Sequence, residues 1–187
     1  MKIALFALAA LTIIIAIPLI VAIFLKKDYS IVREIIINRP KQEVFDYIKY
    51  LKNQEKWSIW AKTDPNMKTS CLGTDGTVGF MYSWESDNKR VGKGKQEIKK
   101  IVDGEYIEYI EWDLRYAGNP YAQCDWTTER VLDNDTRMKW RNRGRLNYPM
   151  NLMILFFEKL MGNDTLLKEL ASLKTTIESL TNNHKTT

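Results

Sequence analysis

The stretch that decides the fold is GNDTLLKELASLKTTIESL, residues 162–180. Apolar side chains recur in it at steps of three and four residues, which stacks them along one face of a helix. They are Leu166, Leu170, Leu173, Ile177 and Leu180. Asn163 or Asp164 is suited to cap the amino end of this helix. The charged residues predicted to face solvent are Lys168, Glu169, Lys174 and Glu178.

A helix with one apolar face must bury that face, and only residues 78–145 carry enough apolar surface to receive it. Apolar and polar residues alternate there with a period of two, which is typical of strands. We therefore predict an α+β fold in which a curved antiparallel sheet of about seven strands closes around a long C-terminal helix. The predicted order is one strand, two helices, a run of six strands and the final helix.

The first strand is predicted over residues 30–38, which are rich in β-branched side chains and stop before Pro40. Pro40 suits the first position of a helix, and the helical spacing of apolar residues extends this helix over residues 41–51. A second short helix or turn carries Trp57 and Trp60. Both tryptophans are predicted to be buried or to line a pocket.

Large aromatic side chains recur on one predicted face of the sheet. The residues that we expect to line an internal cavity are Trp60, Phe80, Tyr82, Trp84, Tyr106, Glu108, Trp112, Trp126 and Trp140. These rings either hold a hydrophobic ligand between them or simply fill the core, and the sequence leaves both readings open. Glu108 would be a polar contact in the cavity with a pKa raised by desolvation, unless a register shift or bulge turns it outward.

The amino-terminal residues 3–25 contain no charged side chain. As a helix they would reach about 35 Å at 1.5 Å per residue, enough to cross a hydrocarbon core of about 30 Å. The alternative is a cleaved signal peptide, but its apolar region is shorter and ends in small residues that this segment lacks. We predict residues 1–27 to be a single-pass transmembrane anchor. Lys26 and Lys27 favour a cytoplasmic domain and Lys2 favours the reverse, so the cytoplasmic side is only slightly preferred.

Residues 28–181 are predicted to form one folded domain, and residues 182–187 a disordered tail without apolar pattern. Lys2, Lys26 and Lys27 account for three of the 28 basic residues, which leaves 25 against 23 acidic ones. An excess this small does not call for nucleic acid, and we predict no nucleic-acid partner.

Five basic residues alternate along one predicted strand and would share its outer face. They are Arg137, Lys139, Arg141, Arg143 and Arg145, named here the basic stripe. Asp125 and Glu129 on the neighbouring strand are placed to pair with them, so a solvated, charge-paired surface is the default prediction. The sharper alternative is a patch for anionic lipid headgroups beside the bilayer. RNA binding is disfavoured because the aromatic residues lie on the opposite face.

The sequence offers little catalytic chemistry. Its single histidine, His184, lies in the polar tail, and the chain has no Gly-x-Ser-x-Gly motif and no phosphate-binding glycine loop. Cys71 and Cys124 have neither metal-site spacing nor the pattern of a disulfide framework, so their pairing is left open. We predict no metal and no other cofactor.

The predicted order of elements resembles the START-like superfamily, also called the SRPBCC or polyketide-cyclase and lipid-transport superfamily. The resemblance is carried by residues 35–40 and 43–45, Trp57, Trp60, residues 76–79, Tyr82, Trp84, Gly92, Gly94, Ile98, residues 136–140, Leu170, Leu173 and Lys174. It covers roughly residues 30–180 and rests on order and spacing rather than on one motif. It implies the helix-grip fold, in which the sheet wraps the C-terminal helix and leaves a cavity for a hydrophobic small molecule.

Residues and resemblance together predict a membrane-anchored protein that binds a hydrophobic or lipid-like small molecule in an internal cavity, without catalysis. One alternative is a polyketide cyclase-like or hydrolase-like enzyme that uses Glu108 or Tyr82 as acid or base. Another is a regulatory interaction module with a filled cavity. Residues 149–161 are apolar nearly all round and too short to span a bilayer, so we expect them to be a buried or membrane-facing start of the terminal helix.

Overall fold

The structure is a computed structural model that describes residues 2–115, 121–157 and 165–180. The helices are α1 (Lys2–Phe24), α2 (Lys41–Ile48), α3 (Gln54–Trp57), α4 (Ile59–Thr63), α5 (Ile154–Phe157) and α6 (Thr165–Leu180), with single 3-10 turns at Leu51–Asn53 and Met150–Met153. The strands are β1 (Asp28–Ile37), β2 (Lys68–Leu72), β3 (Met81–Glu85), β4 (Lys93–Val102), β5 (Tyr106–Asp113), β6 (Tyr121–Leu132) and β7 (Asp135–Arg145). The predicted cap at Asn163 or Asp164, the predicted tail at 182–187 and His184 lie outside the described residues.

The strands form one antiparallel sheet in the order β1-β7-β6-β5-β4-β3-β2. The first strand therefore pairs with the last one, and Asp28 at the start of β1 lies opposite Arg145 at the end of β7. We call this end of the sheet the anchor-proximal end, because it follows directly on α1, the helix predicted to be the anchor. The helix α6 packs against β1, α3 and α4. The predicted α+β fold, with a seven-stranded sheet around a long C-terminal helix, is confirmed.

The helix α6 buries the face that its apolar spacing predicts. Leu170 and Leu173 are fully buried and Ile177 is 3% exposed. The prediction that Glu169 faces solvent is wrong, because this side chain is 2% exposed. Glu169 lies three residues after Leu166 and four before Leu173, and both spacings place it on the buried face.

The face of β5 that points into the protein is the opposite of the predicted one. Ile107 and Tyr109 are fully buried and Glu111 follows them inward, whereas Tyr106 and Glu108 lie on the outer face. The sequence of the strand, YIEYIEWD, carries apolar residues on both faces and one glutamate on each. Since a shift of one residue exchanges the two faces of a strand, this pattern could not decide between them.

The long helix α1 touches the rest of the described chain near its carboxyl end. Ala22 is its one buried residue, and the helix meets the 3-10 turn Met150–Met153. Of residues 149–161, predicted to be a buried or membrane-facing start of the terminal helix, the structure describes 149–157, and residues 150–157 form this turn and α5. Most of the side chains of residues 149–156 are exposed.

The two cysteines do not pair with each other, and the turn before β3 departs from the strand pattern. Cys71 on β2 is exposed and Cys124 on β6 is buried, and both are free thiols. Val78, at the start of the range in which apolar and polar residues are predicted to alternate, is 61% exposed and lies in the turn before β3. Gly79 makes that turn with a φ of 88°, a backbone conformation that strands do not use.

Candidate functional site

A cavity of about 310 Å³ lies between the sheet and the first turns of α6. Leu166 and Glu169 of α6 line one side, and residues of β1, β3, β4, β5, β7, α3 and α4 line the rest. The part of the sheet far from α1 is solid, because Ile37, Ile98 and Met138 are fully buried there. A volume of this size is in the range of small-molecule pockets. The alternative prediction of a filled interior is therefore wrong for this part of the molecule.

Five of the nine residues predicted to line a cavity do border this one, namely Trp60, Tyr82, Trp84, Trp112 and Trp140. Trp112 lies on the outer face of β5 with Glu108, and its ring lies beneath the ammonium groups of Lys95 and Lys99 at 4.8 and 5.8 Å. Phe80 and Trp126 are instead 1% exposed in the solid core. The ring of Trp126 makes edge contacts with Tyr109, Trp57 and Trp140 at centroid distances of 4.9, 6.1 and 5.7 Å. These contacts fill the middle of the sheet, so the cavity begins beyond them.

Glu108 and Tyr106 do not line the cavity, because β5 presents its other face. The Tyr106 hydroxyl donates to Oε2 of Glu108 at 2.8 Å, and the Gln123 amide donates to Oε1 at 2.7 Å. Desolvation acts to raise the pKa of Glu108, but these two hydrogen bonds and the charges of Arg143 and Lys100 outweigh it and lower the pKa. The upward shift predicted for an inward Glu108 does not occur, and the alternative prediction of an outward Glu108 is the one that holds.

Glu111 is the carboxylate that β5 does place in the cavity, and the sequence analysis missed it. Its Oε2 accepts a hydrogen bond of 2.7 Å from the Gln96 amide nitrogen. The amide oxygen of Gln96 accepts a bond of 2.8 Å from Gln54, which fixes the orientation of Gln96. Burial raises the pKa of Glu111 despite the bond from Gln96. The signal that could have found it is its spacing of two and four residues from Tyr109 and Ile107.

Glu169 is the second carboxylate of the cavity. Its Oε1 accepts a bond of 3.0 Å from the Ser58 hydroxyl, and its Oε2 accepts one of 3.2 Å from the backbone N–H of Ile59. Desolvation, with a smaller contribution from the charge of Glu111, raises the pKa of Glu169 to about 7 against these two bonds. Such a carboxyl gains and loses a proton near neutral pH. Among the described residues, no group of three His, Cys, Asp or Glu side chains is arranged to hold a metal ion.

The cavity lies toward the anchor-proximal end of the sheet. The anchor-proximal end of the sheet is defined by the residues that pair there between neighbouring strands. From β1 to β2 these pairs are Asp28–Arg145, Ala122–Gly144, Trp112–Tyr121, Gly94–Asp113, Lys93–Glu85 and Lys68–Glu85. Arg90, Lys93 and Arg115 are exposed residues on the cavity rim, and all three lie at or just beyond these strand ends. The basic rim of the cavity is therefore on the same end of the sheet as the attachment of α1.

The basic stripe of β7 is a surface of ion pairs. Asp125 accepts bonds of 3.0 Å from both Arg141 and Arg143. Lys139 contacts Glu129 at 2.8 Å, Arg137 contacts Glu129 at 3.5 Å, and Arg145 contacts Asp28 at 3.1 Å. Each stripe residue thus has a carboxylate partner, as the default prediction of a charge-paired outer face requires. The pairs of Glu129 and Asp28 are exposed and contribute little stability each, whereas Asp125 is buried beneath Arg141 and Arg143.

Solved structures of low sequence identity share this architecture. Norcoclaurine synthase from Thalictrum flavum, solved in complex with dopamine and hydroxybenzaldehyde, matches with a TM-score of 0.63 and 11% identity over 83% of this chain and 89% of its own. Ara h 8.0201 matches with 0.55 and 11% over 81% and 99% of the two chains. The Aha1 dimer from Colwellia psychrerythraea matches with 0.55 and 15% over 81% and 97%.

The sequence matches no protein-family model and no protein of curated function. Structural likeness at these identities establishes the fold and leaves activity open. The resemblance to the START-like superfamily is accordingly confirmed at the level of fold, and membership stays a prediction. The chain has the helix-grip fold of the Bet v 1-like, or SRPBCC, structures.

Proposed function

We propose that this chain is a membrane-tethered protein that binds one hydrophobic or lipid-like small molecule in its cavity, without catalysis. The observation that carries the proposal is the cavity itself, about 310 Å³ bordered by tryptophan and tyrosine rings. Protein interiors are normally packed without large voids, and an unfilled space of this size costs stability. A ligand of matching volume would recover the lost contacts and orient its polar end on Gln96 and Glu111.

The tether in this proposal is α1. It has 23 residues, of which Lys2 alone is charged, and its side chains other than Ala22 are not buried against the described chain. A helix of this length and composition suits a bilayer core of about 30 Å. A signal sequence has a similar composition, and the intact mass of the chain purified from membranes distinguishes a cleaved signal sequence from a tether. A chain that keeps residues 1–27 and stays with the membrane supports the tether.

The position of the rim supports exchange of the ligand with the bilayer. Arg90, Lys93 and Arg115 surround the cavity on the end of the sheet to which α1 is attached. A tether at this end keeps the rim near the membrane surface, where a lipid-like molecule is concentrated. Contact of the basic stripe with anionic headgroups is a finer part of the proposal. It would involve only Arg143 and Arg145, because the other stripe residues lie further along β7 from the anchor-proximal end.

The experiment is to purify the full chain from membranes, extract it and identify bound molecules by mass spectrometry. Two matched variants on α6 separate cavity ligands from adhering lipid. Leu166→Trp introduces a ring into the cavity, whereas Leu167→Trp places the same ring at a site that is 41% exposed. We expect one compound to be enriched in the wild type and in Leu167→Trp and to be lost in Leu166→Trp. Equal recovery from all three proteins would contradict ligand binding in the cavity.

A second candidate function is acid–base catalysis in the same cavity, favoured by one observation. Glu169 has a pKa of about 7 and lies beside a cavity that also holds Glu111. The residues first considered for this role fit less well. Glu108 lies outside the cavity, and the hydroxyl of Tyr82 donates to Glu55 at 3.1 Å while desolvation raises its pKa far above neutrality.

The two functions give different results when the extracted compound is incubated with fresh protein. Binding without catalysis leaves the compound unchanged, and Glu169→Gln then retains ligand uptake. Conversion of the compound by the wild type, together with uptake without conversion by Glu169→Gln, would replace the binding proposal with an enzyme.

A further inference from the structure

An exposed apolar surface lies at the foot of α1. It is formed by Tyr148, Met150, Met153, Leu155 and Phe156, whose exposed fractions lie between 43 and 56%. Residues 146–157 carry no charged side chain. Single exposed apolar residues are common on protein surfaces, but five within nine consecutive residues mark a contact surface. We call residues 148–157 the foot segment.

The foot segment is fixed to the end of α1 by a buried side chain. The Asn151 amide is fully buried and donates to the backbone oxygens of Ala22 at 2.6 Å and Leu25 at 3.2 Å. The Ala22 carbonyl belongs to the last turn of α1 and the Leu25 carbonyl follows it directly, where the helix offers few backbone donors. The backbone N–H of Leu146 also donates to the oxygen of Lys27 at 2.8 Å. The height of the foot segment relative to α1 is therefore set by hydrogen bonds.

If α1 crosses a bilayer, as proposed above, this attachment determines the depth of the apolar side chains of the foot segment in the membrane. The uncharged stretch of α1 ends at Leu25, and Lys26 and Lys27 follow it directly. Lysines in this position lie at the membrane–water interface. A segment bonded to Ala22 and Leu25 is then level with the boundary between headgroups and acyl chains. Apolar side chains at that depth are stabilised by leaving water.

We propose that the foot segment is a second membrane contact, which inserts Met150, Met153, Leu155 and Phe156 into the interfacial layer of the bilayer that α1 crosses. This inference rests on the proposed tether and adds an orientation to it. With α1 and the foot segment both held at the surface, the anchor-proximal end of the sheet and the cavity rim face the membrane. Because the segment has no charge, its insertion does not depend on anionic lipid.

The test measures the depth of single spin labels on the full chain in phosphatidylcholine vesicles. The exposed Cys71 is replaced by serine, and one label is placed at Leu155→Cys. Leu132→Cys is the matched control, since Leu132 is 63% exposed in the β6–β7 hairpin at the opposite end of the sheet. Ile14→Cys in α1, where the native side chain is 66% exposed, reports on the tether. Collision rates with oxygen and with a water-soluble nickel complex are recorded by electron paramagnetic resonance.

We expect a ratio of oxygen to nickel accessibility that is several-fold higher at position 155 than at position 132, and equal in vesicles with and without anionic lipid. A ratio at 155 equal to that at 132, with the label at 14 inaccessible to nickel, would overturn the second contact and leave the tether intact. High nickel accessibility at position 14 would instead overturn the tether. A label at 155 that neither reagent reaches would show that protein covers the segment, which also overturns the inference.

Discussion

Replacing Glu169 by glutamine changes how the stability of the protein depends on pH. Burial raises the pKa of this carboxyl from 4.5 to about 7 in the folded chain. Between these two values the folded protein keeps a proton that the unfolded chain releases. The free energy of unfolding contributed by this group is therefore complete below pH 4.5 and is lost as the pH rises towards 7.

The size of this loss follows from the shift in pKa. One pKa unit corresponds to about 1.4 kcal/mol, so the pKa change of Glu169 amounts to about 3 kcal/mol. The glutamine variant has no such titration. The free energy of unfolding of the wild type minus that of Glu169→Gln should consequently fall by about 3 kcal/mol between pH 4.5 and 7.5. Groups that titrate equally in both proteins cancel in this difference.

The assay is urea denaturation of the full chain in lipid nanodiscs, followed by tryptophan fluorescence across this pH range. Glu43→Gln is the matched control, because Glu43 is exposed on α2 and the same substitution there leaves the Glu169 titration in place. The control should follow the wild-type profile. A difference between wild type and Glu169→Gln that does not change with pH, while both proteins fold, would refute a proton-binding carboxyl in the cavity.

Two further predictions concern the cavity and the solid core beside it. Gly94→Ala should lower the free energy of unfolding by about 1–3 kcal/mol. A Cβ at this position would lie 2.4 Å from the Trp84 ring and 2.8 Å from the backbone oxygen of Trp112. An unchanged urea midpoint would contradict this close approach. Trp126→Ala should cost about 3–5 kcal/mol because the ring is fully enclosed in the core. Trp60→Ala should cost much less, because its ring is 38% exposed at the cavity, but should weaken retention of the extracted ligand; equal losses of stability in the two variants would contradict the division into solid core and open cavity.

The overall fold could be predicted because several strong local patterns agree. The spacing of Leu170, Leu173 and Ile177 gave the buried face of α6, and the inward positions of Met138 and Trp140 followed from the alternation along β7. In these elements most of the apolar residues fall on one face, although Leu167 and Leu180 of α6 are exposed. Burial of that face is the dominant contribution to folding, so the pattern and the structure coincide.

The polar side chains of the cavity, in contrast, could not be predicted from the pattern of apolar residues. The two carboxylates of the cavity, Glu111 and Glu169, lie at inward spacings of β5 and α6, but the sequence analysis assigned charged residues to solvent because of their charge and not because of their spacing. Both faces of β5 carry apolar and charged residues, so its own pattern does not decide which face points inward. Pairing with β4 and β6 sets the register of β5 and turns Glu111 inward. Glu169 is tolerated inside because Ser58 and the backbone N–H of Ile59 bond to it, and these partners are more than 100 residues away in sequence. Long-range contacts of this kind leave no periodic signal.

The measurement that tests the central claim most directly is native mass spectrometry of the full chain released from nanodiscs. The account predicts that wild-type protein carries one small-molecule adduct per chain and that Leu166→Trp, whose added ring occupies the space, carries none. A wild-type chain that is free of any adduct, or the same adduct on both proteins, would contradict an open cavity that holds a ligand.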